Sequence, residues 1–207
     1  MKKMTKISTV VASLLIAGSA SAITPGAYVG AGVGDSVLRT PSVNSVPGVA
    51  TSQSRGGLGG RVFAGYNFTK NFGLEAALAA YASSTAKASM AGRSVSQKDS
   101  LNALSLIGKG YLPLGDTGLN AYVLGGLAEV RNQLRTTGNL VPASQTGTTS
   151  TNSLRPTYGL GMSYDLPNQM TTSLELSRIQ GKGNMRTSDS AIPNADMISL
   201  NLGYNFG

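Results

Sequence analysis

The stretch Met197-Ile198-Ser199-Leu200-Asn201-Leu202-Gly203-Tyr204-Asn205-Phe206 sorts its side chains by parity. Ile198, Leu200, Leu202, Tyr204 and Phe206 fall on one side; Ser199, Asn201, Gly203 and Asn205 fall on the other. A period of two is the mark of a strand with two unlike faces. The same split recurs in Tyr158, Leu160, Met162, Tyr164 and Leu166 against Gly159, Gly161, Ser163 and Asp165. It recurs again in Leu58, Val62, Ala64, Tyr66 and Phe68 against Gly59, Arg61, Phe63, Gly65 and Asn67. The polar side is made of glycine and small residues, which suits the narrow interior of a small barrel. The apolar side, with aromatics gathered at one end, suits contact with lipid and an interfacial girdle.

Working outward, eight such segments are predicted as strands, at 27–37, 56–68, 72–81, 101–112, 119–130, 154–166, 170–179 and 197–206. Each is about as long as a tilted strand needs to cross a bilayer. Segment 72–82 passes locally for a helix, and 119–130 is apolar on both faces through Ala121, Tyr122, Val123 and Leu124. The connections alternate. Long polar ones follow the odd strands, at 38–54, 82–100, 131–153 and 180–196, and short ones follow the even strands, at 69–71, 113–118 and 167–169. Transmembrane barrels show this asymmetry. Soluble lipocalin-like barrels also have eight strands, so the faces of the strands discriminate better than their number. The expected fold is all-β, an eight-stranded antiparallel up-and-down transmembrane β-barrel.

Ahead of the strands, Lys2, Lys3 and Lys6 precede a short apolar run at 10–17, and Ala20-Ser21-Ala22 has the small-residue form of a cleavage site. The expected organisation is a signal peptide over 1–22, cleaved after Ala22, and one barrel domain over 23–207. The apolar run is too short to span a bilayer as a helix. Without Lys2, Lys3 and Lys6 the formal charge falls from +8 to +5.

Composition excludes several function classes. The chain has no Cys, His or Trp, 27 Gly, and only 13% charged residues. Disulfide scaffolds, cysteine-ligated zinc, His-ligated metals and His-dependent triads are ruled out. Collagen fails for want of a three-residue glycine period. Ser84-Thr85-Ala86-Lys87 matches S-x-x-K but lacks the companion motifs of a serine acyl-transfer enzyme. The alternating glycines Gly30, Gly32 and Gly34 precede no helix that could hold a phosphate, and fit an inward strand face instead. No cofactor is implied, and the chain reads as a non-enzyme.

Four charges take the inward parity: Arg61, Glu75, Lys109 and Glu175. Two bases and two acids in a narrow lumen must pair, because an isolated buried charge is very costly. Such a network either plugs the barrel or gates an ion path. The remaining bases, Lys70 apart, gather in or beside the long connections. Arg131, Arg135, Arg155, Arg178 and Lys182 are the candidates to meet the phosphates of lipopolysaccharide. Nucleic acid is not expected, since these connections carry almost no aromatics to stack on bases.

Several segments resemble the OmpA-like family of eight-stranded outer-membrane barrels: GYNF at 65–68 running into NFGLEAAL at 71–78, KGYLP at 109–113, YGLGMSYDL at 158–166 with Leu174-Glu175-Leu176, and the terminal MISL and YNFG. The resemblance spans nearly the whole mature chain at the level of strand patterns. It implies a barrel in the Gram-negative outer membrane with both termini periplasmic, and an interior salt-bridge network of the kind proposed to gate small conductance. Ser163 and Ser173 stand where that family commonly has Glu and Arg, and the penultimate Phe206 replaces a terminal aromatic assembly signal. In OmpA itself a peptidoglycan-binding domain follows the barrel. This chain stops at Gly207, so cell-wall anchoring is not expected. The expected role is structural, with outer-membrane lipid and lipopolysaccharide as partners, surface interaction through the loops, and a monomeric state. The alternatives are a low-conductance pore, or an adhesin whose loops meet a host or phage surface.

Overall fold

The computed structural model describes residues 23–39, 50–54, 56–90, 93–139, 146–181 and 193–207. They form ten strands: β1 (Gly26–Arg39), β2 (Ala50–Ser54), β3 (Gly56–Asn67), β4 (Phe72–Ala80), β5 (Ser84–Met90), β6 (Arg93–Pro113), β7 (Leu119–Gly138), β8 (Gly147–Asp165), β9 (Met170–Ile179) and β10 (Asn194–Asn205). Eight of them close on themselves in the order β6-β4-β3-β1-β10-β9-β8-β7, with β7 returning to β6. Every neighbouring pair is antiparallel. The alternating pattern thus becomes a closed barrel with no free edge at membrane depth, the form in which strands satisfy their backbone without water. Segment 72–82, helical by local preference, is strand β4, held between β3 and β6. Pairing on both sides outweighs a weak helical propensity.

Parity decides what each side chain meets. Leu58, Val62, Leu78, Leu104, Leu106, Val123, Leu160, Leu174, Ile198, Leu200 and Leu202 all stand exposed on the outer wall. Such an apolar belt would be an aggregation hazard in water and is the normal surface of a protein in lipid. At the short-turn end the belt finishes in rings: Tyr66 packs on Phe68 at 5.2 Å, Phe68 stacks on Phe72 at 6.0 Å, and Tyr204 meets Phe206 at 5.1 Å. In β7, apolar on both faces, Tyr122 and Leu124 turn inward and are buried, while Val123 faces out.

Three strands run well past the expected bounds. β6 begins at Arg93 instead of 101, β7 continues to Gly138 instead of 130, and β8 begins at Gly147 instead of 154. The expected long connections at 38–54 and 82–100 also contain strand, since β5 pairs with the upper part of β6 and β2 pairs with β5. The β6–β7 ladder is unbroken from Pro113↔Asn120 to Val95↔Gly138, so side-chain parity carries through from the wall into this extension. Between β4 and β5 the register slips. Residues 81–83 lie opposite 100–101, a bulge between the two ladders.

The lumen is less uniformly polar than the small and glycine-rich face implied. Leu38, Leu101, Ala103, Ala128, Val130, Ile179 and Ala195 form a buried cluster with Tyr81 packed against it. It fills the barrel at the end from which the long connections leave. A second cluster of Ala77, Ile107, Tyr122 and Leu124 lies lower, against Phe63 and Tyr111.

Candidate functional site in the barrel lumen

Strands β3, β4, β6 and β9 bring Arg61, Glu75, Lys109 and Glu175 together, as the inward parity requires. All four are buried; Glu75 and Glu175 are 0% and 1% exposed. The Arg61 guanidinium spans both acids, donating through Nη2 to Glu75 Oε1 and through Nη1 to Glu175 Oε1. Lys109 Nζ takes the remaining oxygens, 2.5 Å from Glu75 Oε2 and 3.6 Å from Glu175 Oε2. Both bases also lie over the Phe63 ring, at 5.0 and 5.5 Å from its centre. The cluster has no net charge, and each carboxylate oxygen faces a cation. A buried ionic group is tolerated under those conditions and few others.

Two partners escaped the sequence reading. Tyr28 Oη donates to Glu75 Oε2 at 3.1 Å, and Tyr122 Oη donates to Glu175 Oε2 at 3.1 Å. The geometry repeats across the barrel. Tyr28, Gly65 and Glu75 lie in one register row across β1, β3 and β4. Tyr122, Gly161 and Glu175 lie in another across β7, β8 and β9. In each row the phenol crosses the glycine to reach the acid. A Cβ on Gly65 or on Gly161 would lie 2.4 Å from the tyrosine Cζ. The signal was available: an inward tyrosine one strand away from an inward glycine that itself faces a glutamate.

Chemically the arrangement is a lock. Every acid oxygen is engaged, so neither glutamate is free to accept a substrate proton. Ser84 and Lys87, the S-x-x-K pair, sit three residues apart on one strand and so face opposite sides of β5.

Below the quartet a cavity of about 60 Å³ is lined by Asn67, Tyr111, Ser163, Asp165, Thr171 and Ser173, among others. Asn67 Oδ1 and Ser163 Oγ are buried there with no hydrogen-bond partner, and Ser163 faces Ser173 across β8 and β9. Asp165 accepts from Asn120 Nδ2 at 3.0 Å and Thr171 Oγ1 at 2.9 Å. Polar lining and this volume suit a few waters. Above the quartet the buried apolar cluster offers none of this.

The five candidate bases of the rim separate. Arg131 and Arg135 lie on the outward parity of β7, both exposed. Arg178 is tied to Asp196, Nε to Oδ1 at 2.5 Å and Nη2 to Oδ2 at 3.0 Å, and Arg39 holds the same carboxylate. Arg155 is a correction. It takes the inward parity of β8, and its Nε is buried without a partner. It lies within the strand expected over 154–166, and grouping it with the bases beside the long connections ignores its place on the inward side of that strand. Lys182 and the cleavage site at Ala22 lie outside the described residues.

The description of the matching family model is "outer membrane protein beta-barrel domain", and the match runs over residues 7–206. The chain belongs to that family. An uncharacterized protein of Coxiella burnetii (strain RSA 493 / Nine Mile phase I) is 27% identical over 179 residues, covering 75% of this chain and 71% of that protein. Among solved structures, Neisserial surface protein A matches with a TM-score of 0.56 at 13% identity, over 87% of this chain and 97% of the other. The N-terminal β-barrel domain of Pseudomonas aeruginosa OprF matches at 0.53 and 15% identity, over 88% and 98%. At these identities the likeness is one of fold. Family and fold place this barrel in the Gram-negative outer membrane, its apolar belt in the bilayer.

Proposed function

We propose that the protein is a closed, non-enzymatic barrel with a structural role in the cell envelope, partnered by lipopolysaccharide in the outer leaflet. The observation that carries this reading is the double closure of the lumen. The quartet of Arg61, Glu75, Lys109 and Glu175 is satisfied within itself, and Leu38, Leu101, Val130 and Ile179 fill the bore above it. An ion crossing such a path would shed its hydration against apolar walls, the basis of hydrophobic gating. One feature favours the alternative of a low-conductance pore: the polar cavity beneath the quartet, whose unpartnered groups invite water in from the short-turn side. Planar-bilayer recording of the purified protein separates the two. The structural reading expects a quiet membrane with no discrete steps, and reproducible unitary openings would overturn it. In cells, loss of the protein should raise detergent sensitivity, with recovery on complementation.

A further inference from the structure

The extension above the barrel carries an unusual charge arrangement on its outward face. Lys98 on β6 and Arg135 on β7 are direct cross-strand partners. Lys87 on β5 pairs with Ser96 one row beyond, and Arg131 lies four residues below Arg135 on the same face. Like charges set directly opposite destabilise a strand pair. Among the described residues none of the four bases makes an ion pair. The nearest acid on β6, Asp99, takes the opposite parity. The nearest on β7, Glu129, lies below Arg131, opposite Leu104 and Leu154 on the wall. The ground between the bases is hydroxyl and amide: Ser52, Thr85, Ser96, Gln133, Thr148 and Asn152. No aromatic interrupts it, so it lacks the anchors of a protein-binding hot spot.

Its orientation narrows the partner. Parity is continuous from Leu104 through Asn102 to Lys98, and from Leu127 through Arg131 to Arg135. The face is therefore the lipid-facing wall carried upward, and it looks sideways, away from the barrel axis. At about 3.3 Å per residue along a strand tilted near 40°, the bases stand roughly 10–20 Å above the last leucines of the belt. At that height the neighbours of an outer-membrane barrel are the phosphorylated sugars of the lipopolysaccharide around it.

We propose that Lys87, Lys98, Arg131 and Arg135 form a lateral site for the phosphorylated saccharide of lipopolysaccharide, its phosphate seated between Lys98 and Arg135. This site rests on the reading of lipopolysaccharide as the outer-leaflet partner. A phosphate relieves the repulsion that the fold leaves unpaired, and the hydroxyl ground meets the sugar.

The test uses the full-length protein refolded in nanodiscs, with purified lipopolysaccharide, the same lipopolysaccharide stripped of phosphate, and heparin as probes. The double variant Lys98→Gln/Arg135→Gln should bind lipopolysaccharide at least tenfold more weakly. Lys70→Gln, in the short turn before β4, should bind as the unaltered protein does. Unaltered protein with stripped lipopolysaccharide should match the double variant with the intact molecule. Equal binding by the double variant and the unaltered protein would overturn the site while leaving the partner intact. No binding by the unaltered protein would overturn the partner itself. An equal loss on Lys70→Gln would reduce the effect to net charge and overturn the site, and tighter retention by heparin would overturn lipopolysaccharide as its ligand. Unboiled gel migration checks that each variant is folded.

Discussion

A charged quartet in the lumen and a basic quartet on the surface extension are treated in opposite ways. Inside, Arg61, Glu75, Lys109 and Glu175 are buried, balanced and bonded to one another. Outside, Lys87, Lys98, Arg131 and Arg135 are exposed and of one sign, and two of them face each other across a ladder. In a low dielectric a charge must find its partner within the fold or the fold fails. In the wet layer above the bilayer, solvent and salt screen an unpaired base and the penalty is small. The first arrangement is therefore settled by stability, and the second is open to settlement by a ligand.

The largest expected effect tests the inner half of that contrast. Glu75→Gln strips one charge from a neutral buried quartet, and should cost about 3–5 kcal/mol. The urea midpoint in lipid vesicles, followed by gel shift because the chain has no Trp, reads it directly; an unchanged midpoint would place Glu75 outside the network. Leu101→Ala hollows the apolar seal, where Leu101 is 1% exposed, and should cost about 2–5 kcal/mol. A midpoint shift under half of that would mean the bore is loosely filled there. Tyr122→Phe leaves shape intact and removes one donor to Glu175, for about 1.5–3 kcal/mol. If Tyr28→Phe gives a matching loss, the two register rows are energetically equivalent; a loss at only one would break that symmetry. The smallest effect belongs to the extension. Lys98→Gln should move the midpoint by less than about 0.5 kcal/mol, toward greater stability, since it removes a like-charge pair. A clear destabilisation would show that Lys98 has a partner in the protein and erase the contrast.

Strand number, parity and the lumen quartet were legible in the sequence because lipid on one side and a cramped lumen on the other force unlike residues onto alternate positions. Arg61 and Glu175 could be placed inward from that alternation alone. The extension was not legible for the same reason. Stretches such as Thr148-Thr149-Ser150-Thr151-Asn152 are polar on both faces, so no period of two marks them, and β8 looked like a loop where it is strand. Arg155 was misplaced for a different reason: it lies inside the expected strand 154–166, on the side it shares with Gly159, Gly161 and Ser163. The seal at Leu38, Leu101, Val130 and Ile179 was hidden in another way. These residues come from β1, β6, β7 and β9, and only barrel closure makes them neighbours. Tyr28 and Tyr122 needed strand register as well as parity, since their reach depends on which residue stands opposite Gly65 and Gly161.

The two glutamates also differ in when they can be satisfied. Glu75 finds Arg61 and Lys109 on the strands that flank it, β3 and β6. Three neighbouring staves are enough. Glu175 lies on β9, whose neighbours β8 and β10 offer it no cation; its bases arrive from the far wall. Until the ring shuts, that carboxylate has no counter-charge. The molecule therefore keeps a record of its own completion, and an unfinished barrel is penalised at Glu175, whose counter-charges come from across the circumference.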